Sequence, residues 1–277
     1  MQFGFNDMGA PTDSLETTLE LLAQAGYDGF EPSLSPSGEL DDPAEIEQIA
    51  DLTDRYDLAV PSVLTEGLWS HPLSSPDDET RERGVDIAIQ TIEGGATLGA
   101  ETMLIVPGIV TEDVPYDIAY DCALESMAEL APVAHEHGLT LAIENVWNDF
   151  LLSPLEFASF IDEAAEHGPV KAYFDVGNVL RFGDPAQWIR ILDDRIEMVH
   201  IKDYDMEIDT IDGFTYPGQG DVPWEDVVAA LDDVGYDGWI SPEVPPYQTC
   251  PELMPGQVLK MAQAVFADRS NVSGLDI

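Results

Sequence analysis

The chain has 277 residues, with 10 lysines and arginines against 55 aspartates and glutamates, a formal net charge of −45 and 44% hydrophobic residues. This length allows one large core, and the 9% aromatic content excludes a disordered acidic tail. The shortage of basic residues argues against a protein that binds nucleic acid or an anionic membrane through positive charge.

Acidic residues are spread over every polar stretch of the chain. Such a surface repels itself in ordinary buffer, whereas in molar salt the screening length falls to about 3 Å and most of the repulsion disappears. We therefore expect a protein of the salt-rich cytoplasm of a halophile. The absence of a charged leader and of a run of ~20 apolar residues also predicts a cytoplasmic location. Cys122 and Cys250 lack the C-x-x-C spacing, so we expect two buried thiols and no disulfide.

Eight short apolar runs alternate with eight amphipathic stretches. The apolar runs predict strands over residues 2–6, 29–32, 59–64, 102–107, 140–145, 171–176, 196–201 and 238–243. Helices are predicted to begin near Asp13, Pro43, Pro76, Asp117, Ser153, Asp184, Asp221 and Pro251, and four of them to stop at Gly26, Gly138, Gly168 and Gly235. Eight such units in about 250 residues predict an α/β fold, a (β/α)8 TIM barrel that forms a single domain over residues 1–277. A doubly wound sheet is the alternative, but the first strand lacks the G-x-G-x-x-G turn.

Four consecutive predicted strands carry a charged side chain at or near their carboxyl ends. These side chains are Glu144, Asp175, His200 and Glu243. Strands of a parallel barrel are covered on both faces, so charge at these ends requires an explanation. Three carboxylates around one mouth repel each other unless a cation holds them. The four residues are therefore candidate ligands of a divalent metal ion, with Mn²⁺, Mg²⁺ or Co²⁺ favoured over structural zinc by the oxygen-rich set.

Five short sequence words follow one another along the chain. They are I-E-N-V-W from Ile143, F-D-V-G-N from Phe174, H-I-K-D from His200, P-G-Q-G-D-V-P-W from Pro217 and P-E at Pro242. In this order and at strand ends, they resemble the sugar phosphate isomerase/epimerase family of xylose-isomerase-like TIM barrels. That family includes ketose 3-epimerases, hydroxypyruvate isomerases and inosose dehydratases, and the resemblance spans nearly the whole chain.

The resemblance implies that Glu144, Asp175, His200 and Glu243 bind one divalent metal ion, Mn²⁺ ahead of Mg²⁺ or Co²⁺, and that the two glutamates are catalytic. A metal chelated by a carbonyl and its neighbouring hydroxyl acidifies the adjacent C–H group. One glutamate then removes a proton and the other returns it through an enediolate. Transfer on opposite faces makes a 3-epimerase of a ketose or ketose phosphate, and transfer on one face makes an isomerase. The family also implies a homodimer or homotetramer.

Five further residues are candidates for substrate contacts: Asn178, His71, Lys202, Glu31 and Trp147. Asn178 replaces the histidine of the D-x-x-H pattern in free-ketose epimerases, and it can bond a hydroxyl group but carry no proton. Lys202 either neutralises a phosphate or oxyanion or pairs with Asp203. Glu31 and His71 are placed to reach the mouth, against the alternatives of a rim carboxylate and an ordinary loop histidine. Trp147 offers a face for a sugar to stack on, or packs in the barrel.

Other functions stay open at this stage. A dehydratase would use the same metal and base to expel a hydroxyl group as water. A hydrolase resembling endonuclease IV needs three zinc ions, for which five histidines are too few. A barrel that binds a sugar without turnover is the non-enzyme alternative. Residues 218–220, Gly-Gln-Gly, form a candidate phosphate-binding turn, although Asp221 beside them opposes an anion.

Overall fold

Strands and helices alternate along residues 1–34 and 43–267, the part of the chain that the computed structural model describes. The strands are β1 (Gln2–Phe3), β2 (Ser62–Val63), β3 (Thr102–Ile105), β4 (Thr140–Glu144), β5 (Val170–Asp175), β6 (Ile196–Ile201), β7 (Asp203–Tyr204), β8 (Phe214–Thr215) and β9 (Trp239–Pro242). The helices are α1 (Leu15–Ala25), α2 (Pro43–Tyr56), α3 (Gly67–Ser70), α4 (Asp78–Leu98), α5 (Tyr116–His137), α6 (Pro154–Ala164), α7 (Val176–Val179), α8 (Pro185–Leu192), α9 (Trp224–Asp233) and α10 (Met254–Phe266).

Seven strands form one parallel sheet in the order β1-β9-β6-β5-β4-β3-β2, and β7 and β8 form a separate antiparallel pair. The segment 28–34 lies between β1 and β2 and joins them through isolated parallel bridges: Asn6 with Glu31, Gly29 with Ala59 and Ser33 with Leu64. Pro32 and Pro61 have no N–H group, which interrupts the hydrogen-bond ladder between this segment and β2. The strand predicted at 29–32 is therefore a row of bridges, and with it the predicted (β/α)8 barrel is confirmed.

Two of the predicted start residues, Ser153 and Asp184, are N-terminal caps, whereas α5, α9 and α10 begin without a side-chain cap. The N-terminal caps accept a hydrogen bond from the backbone N–H three residues along, at Ser14, Asp77, Ser153 and Asp184. Three predicted stop glycines adopt positive φ: Gly26, Gly138 and Gly235. The prediction for Gly168 is wrong, because α6 already ends at Ala164. A Cβ atom at Gly168 would lie 2.5 Å from the Ala131 carbonyl oxygen of α5, so this glycine permits close packing.

The interior of the barrel and its outer layer are filled by alternate residues of the same strands. The inner cluster holds Leu104, Ala142, Tyr173 and Met198, one residue from each of β3 to β6. Their neighbours in sequence belong to the large core shared with the helices, as Leu141, Phe174 and Val199 do. Because side chains alternate along a strand, the residue two places after each inner residue also points inward.

Cys122 and Cys250 do not form a disulfide. Both thiols are free, but only the absence of a disulfide is confirmed, since Cys122 is half-buried and Cys250 is exposed. Cys250 lies in the loop after β9, outside the packed layers. Among the helices of the described residues, none has the length and apolar character that crossing a bilayer requires.

Candidate metal and active site

Alternation along the strands places the predicted metal ligands at one mouth of the barrel. Glu144 lies two residues after the inner residue Ala142, and Asp175 and His200 follow Tyr173 and Met198 in the same way. The parallel register sets Asp175 beside His200. Glu243 directly follows β9, where its N–H donates to the Ile201 carbonyl at 3.1 Å. The carboxyl ends of four neighbouring strands thus supply four converging side chains.

We call Glu144, Asp175, His200 and Glu243 the carboxylate cluster. Each offers one ligand atom, and these atoms all lie within 4.8 Å of one another. The His200 Nδ1 atom is 3.0 Å from Glu144 Oε1 and 3.6 Å from Glu243 Oε1. Lys202 enters the same group, because its Nζ atom lies 3.0 Å from Asp175 Oδ2 and donates to Glu243 Oε2. The structure therefore brings the predicted ligand set together and adds one ammonium group.

Burial and mutual repulsion control the protonation of this cluster. Burial, and then the Glu243 carboxylate, raise the pKa of Glu144 to about 7. Burial lowers the pKa of His200, but Glu243, Glu144 and Glu31 together raise it well above its ordinary value. Burial opposes ionisation of Glu243 as well, yet Lys202 and His200 hold its pKa below the ordinary value. Protonated His200 and Lys202 thus balance the carboxylates in the metal-free protein.

The cluster fits a divalent metal ion. Asp175 Oδ1 accepts the Asn178 N–H at 2.7 Å. Its Oδ2 is buried and, within the described part of the chain, accepts no hydrogen bond of normal geometry, and it pairs with the Lys202 ammonium at 3.0 Å. The mutual repulsion of the three carboxylates, which only Lys202 and His200 offset, would fall further with a divalent cation among them. Three carboxylates and one imidazole are suitable donors for Mn²⁺, Mg²⁺ or Co²⁺.

Asparagine side chains fix the end of β5, a role that sequence reasoning missed. Asn145 accepts the Asp175 N–H and donates to the Asp175 carbonyl, both at 2.8 Å. Asn178 donates from Nδ2 to the Asn145 carbonyl at 2.9 Å. The Trp147 indole N–H in turn donates to the Asn178 carbonyl at 3.0 Å. The signal for Asn145 was its place directly after Glu144 in the I-E-N-V-W word.

A cavity of about 690 Å³ opens onto the cluster, and Glu144 and Glu243 both line it. Three of the predicted substrate contacts also line it: Asn178, Lys202 and Trp147. Much of the remaining wall is apolar, as at Trp69, Leu104, Val106 and Phe214. Glu66 and Asp212 add carboxylates that the sequence did not single out. Burial, and then Glu243, raise the pKa of Glu66.

The other two predicted contacts lie elsewhere. Glu31 is fully buried, and its Oε2 atom is 3.1 Å from His200 Nε2, on the side of the ring away from Glu144. His71 is half-buried, its carbonyl packs against Gly84 of α4, and it lines a separate hollow with Asp77. The structure brings neither residue to the wall of the large cavity.

Asp203 is bound by the loop that contains residues 218–220, the candidate phosphate-binding turn. It accepts hydrogen bonds from the backbone N–H groups of Tyr204, Gly218 and Val222 and from the Trp224 indole, at 2.8–3.0 Å. A Cβ atom at Gly220 would lie 2.5 Å from Asp203 Oδ1. The loop therefore binds the chain's own carboxylate. The alternative ion pair between Lys202 and Asp203 is not formed, because Lys202 turns to the carboxylate cluster.

Comparisons with known proteins agree with this architecture. A family model described as xylose isomerase-like TIM barrel matches residues 19–266. Fructoselysine 3-epimerase of Shigella flexneri is 24% identical over a 299-residue alignment that covers 97% of this chain and 99% of that protein. D-Psicose 3-epimerase of Clostridium cellulolyticum H10, solved with D-tagatose, gives a TM-score of 0.81 at 17% identity over 96% of this chain and 99% of that one. The IolI protein, solved with a zinc atom, gives a TM-score of 0.81 at 18% identity over 96% and 98%.

Proposed function

The chain belongs to the xylose isomerase-like TIM barrel family, and on that premise we propose that it is a divalent-metal-dependent sugar 3-epimerase. One observation carries the proposal: Glu144 and Glu243 both line the cavity and both approach the His200 ring. Glu144 ends β4 and Glu243 follows β9, and β5 and β6 separate these strands in the sheet. The two carboxylates thus come from opposite ends of a four-strand arc, and we propose that they face opposite sides of one substrate carbon.

Glu144, Asp175, His200 and Glu243 would hold one divalent ion, with Mn²⁺ favoured over Mg²⁺ and Co²⁺. When bound, the ion polarises the substrate carbonyl and acidifies the neighbouring C–H group. The zinc atom of the IolI structure supports a divalent ion as the cofactor. The D-tagatose in the D-psicose 3-epimerase structure supports a sugar as the substrate.

The two glutamates move the proton. The ionised carboxylate forms an O–H bond as the C–H bond at C3 breaks, and the electron pair passes to the carbonyl oxygen. The protonated carboxyl of the other glutamate then delivers its proton to the opposite face of C3, and the carbonyl re-forms. Such transfers contribute about 10²–10⁴-fold to a rate. Lys202 and Asn178 bind oxygen atoms of the substrate, and Trp147 stacks on its apolar face.

The test is to incubate the Mn²⁺-loaded protein with D-fructose, D-tagatose and their phosphates in D₂O and molar KCl. We expect the C3 epimer, with one deuterium at C3, in the ¹H NMR spectrum. An aldose with deuterium at C2 would mean that the protein is an isomerase and not an epimerase. Loss of water would support the dehydratase, and metal binding without turnover of any sugar would support the binding-only barrel.

A matched variant separates the cluster from the rest of the barrel. Glu197→Gln removes a carboxylate of β6 that pairs with Lys171 at 3.0 Å, near the amino-terminal ends of β5 and β6. Its turnover should equal that of the wild type. Chelation of the metal should abolish exchange in both proteins.

A further inference from the structure

Glu31 is a buried carboxylate that the proposed reaction does not use. Its Oε1 atom accepts a hydrogen bond from the Tyr173 hydroxyl at 2.9 Å and another from the Ser241 hydroxyl. Its Oε2 atom lies 3.1 Å from His200 Nε2. Two hydroxyl donors, from β5 and β9, and the His200 ring of β6 therefore surround one side chain from the segment that closes the barrel.

Neighbouring residues pack tightly around Glu31 and His200. A Cβ atom at Gly4 would lie 2.3 Å from Ser241 Oγ and 3.0 Å from Glu31 Oε1, so the glycine is required where the two side chains meet. The Tyr173 ring packs on the His200 ring with centroids 4.3 Å apart. The imidazole is thus held at its face by Tyr173 and at one edge by Glu31.

We propose that Glu31 is a positioning residue that accepts the Nε2–H of His200 and so leaves the Nδ1 lone pair for a metal ion. The Nδ1 atom is the one that faces Glu144 and Glu243. A carboxylate on the far nitrogen of a ligating histidine fixes the tautomer and the ring orientation, and it makes the ligand more basic. This inference rests on the proposed function in one respect, that the carboxylate cluster binds a divalent ion.

One neighbour favours the opposite tautomer. The Asn6 amide nitrogen lies 3.5 Å from His200 Nε2, and as a donor it would make Nε2 an acceptor and move the proton to Nδ1. Glu31 is closer, at 3.1 Å, and a charged acceptor makes the stronger hydrogen bond. The Asn6 oxygen is already bonded to the Met8 N–H at 3.0 Å. Glu31 therefore determines which nitrogen keeps its hydrogen when the imidazole becomes neutral, the form in which it can bind a metal ion.

Metal affinity in Glu31→Gln tests the role directly. Glutamine has one oxygen in place of two, so it cannot accept from His200 and from both hydroxyl groups as the carboxylate does. We expect Co²⁺ and Zn²⁺ to bind about 10–100-fold more weakly, measured by competition with a chelating dye. The Co²⁺ absorption spectrum should also change, because the imidazole no longer keeps its orientation.

Tyr173→Phe and Ser241→Ala are the matched controls. Each removes one donor to Oε1 and leaves the bond from Oε2 to His200, so each should weaken metal binding less than Glu31→Gln. Thermal unfolding of all three variants, followed by circular dichroism, checks that the barrel is formed. Wild-type affinity in a folded Glu31→Gln protein would overturn the role of Glu31 and leave the proposed function intact.

A second measurement needs no variant and decides the matter if Glu31→Gln does not fold. Long-range ¹H–¹⁵N NMR of histidine in the Zn²⁺-loaded wild type should show a protonated Nε2 and a metal-shifted Nδ1 for His200. A protonated Nδ1 would overturn the inference. Failure of the wild type to bind Zn²⁺ or Co²⁺ would overturn both the inference and the metal-dependent function.

Discussion

The carboxylate of Asp203 and those of the carboxylate cluster are neutralised in different ways. Asp203 accepts four hydrogen bonds, three from backbone N–H groups and one from the Trp224 indole. The carboxylate cluster has few neutral donors: its members face each other, His200 and Lys202. A carboxylate surrounded by fixed dipoles is a structural group, whereas carboxylates that face one another need a cation. Asp203 therefore supports the structure around the site, whereas the carboxylate cluster is the group suited to bind a cation.

The largest expected effect is the loss of turnover when a glutamate of the carboxylate cluster is replaced. Glu243→Gln or Glu144→Gln keeps the shape of the side chain and removes a proton carrier, so kcat should fall by about 10²-fold or more. Steady-state turnover of the identified ketose with saturating Mn²⁺ measures it, with circular dichroism as the control for folding. Turnover within a few-fold of the wild type in Glu243→Gln would contradict the mechanism.

Replacement of Asp203 should lower the unfolding free energy of the protein. Asp203→Ala leaves the N–H groups of Gly218 and Val222 and the Trp224 indole without their acceptor, which should cost about 2–4 kcal/mol of unfolding free energy. Asp232→Ala, at an exposed position of α9, should change it by under about 0.5 kcal/mol. Urea unfolding at one fixed KCl concentration compares the two. Equal losses in both variants would mean that the loop does not depend on Asp203.

The sequence predicted the cluster better than its surroundings, for a physical reason. Glu144 and Asp175 end regular parallel strands, where alternation and register determine the direction of a side chain. Glu31 lies in a segment joined only by isolated bridges, and its burial depends on how the barrel closes. His71 follows the four-residue helix α3, whose orientation depends on packing against α4. Such placements depend on tertiary contacts that no local pattern encodes.

The unfolding free energy of the metal-free protein should depend on pH through the protonation of the carboxylate cluster. Because the pKa of Glu144 is raised from 4.5 to about 7, the folded protein keeps a proton in this range that the unfolded chain releases. The raised pKa of His200 acts in the same direction above pH 6.5. The unfolding free energy of the metal-free protein should therefore fall as pH rises from 5 to 8, by about 2 kcal/mol from Glu144.

Glu144→Gln is the control for this titration, since it removes the carboxyl group and should flatten part of the slope. Denaturant unfolding in a chelating buffer at several pH values measures both proteins. Metal affinity should change with the opposite sign and rise with pH, because the ion displaces protons from the same groups. A metal-free protein that gains stability up to pH 8 would contradict the charge balance assigned to the cluster.

The smallest expected effect is a difference in unfolding free energy between variants of two tryptophans. One indole donates to Asp203 and the other to a backbone carbonyl beside the carboxylate cluster. The Trp224 indole donates to the charged Asp203 carboxylate at 2.9 Å, and the Trp147 indole donates to the neutral Asn178 carbonyl at 3.0 Å. A hydrogen bond to a charged group contributes about 1.5–3 kcal/mol and one between neutral groups about 1 kcal/mol. Trp224→Phe should therefore destabilise the protein by about 1 kcal/mol more than Trp147→Phe in urea unfolding. Equal losses would mean that the Asp203 charge is already satisfied by its three backbone donors, so that the indole adds only packing.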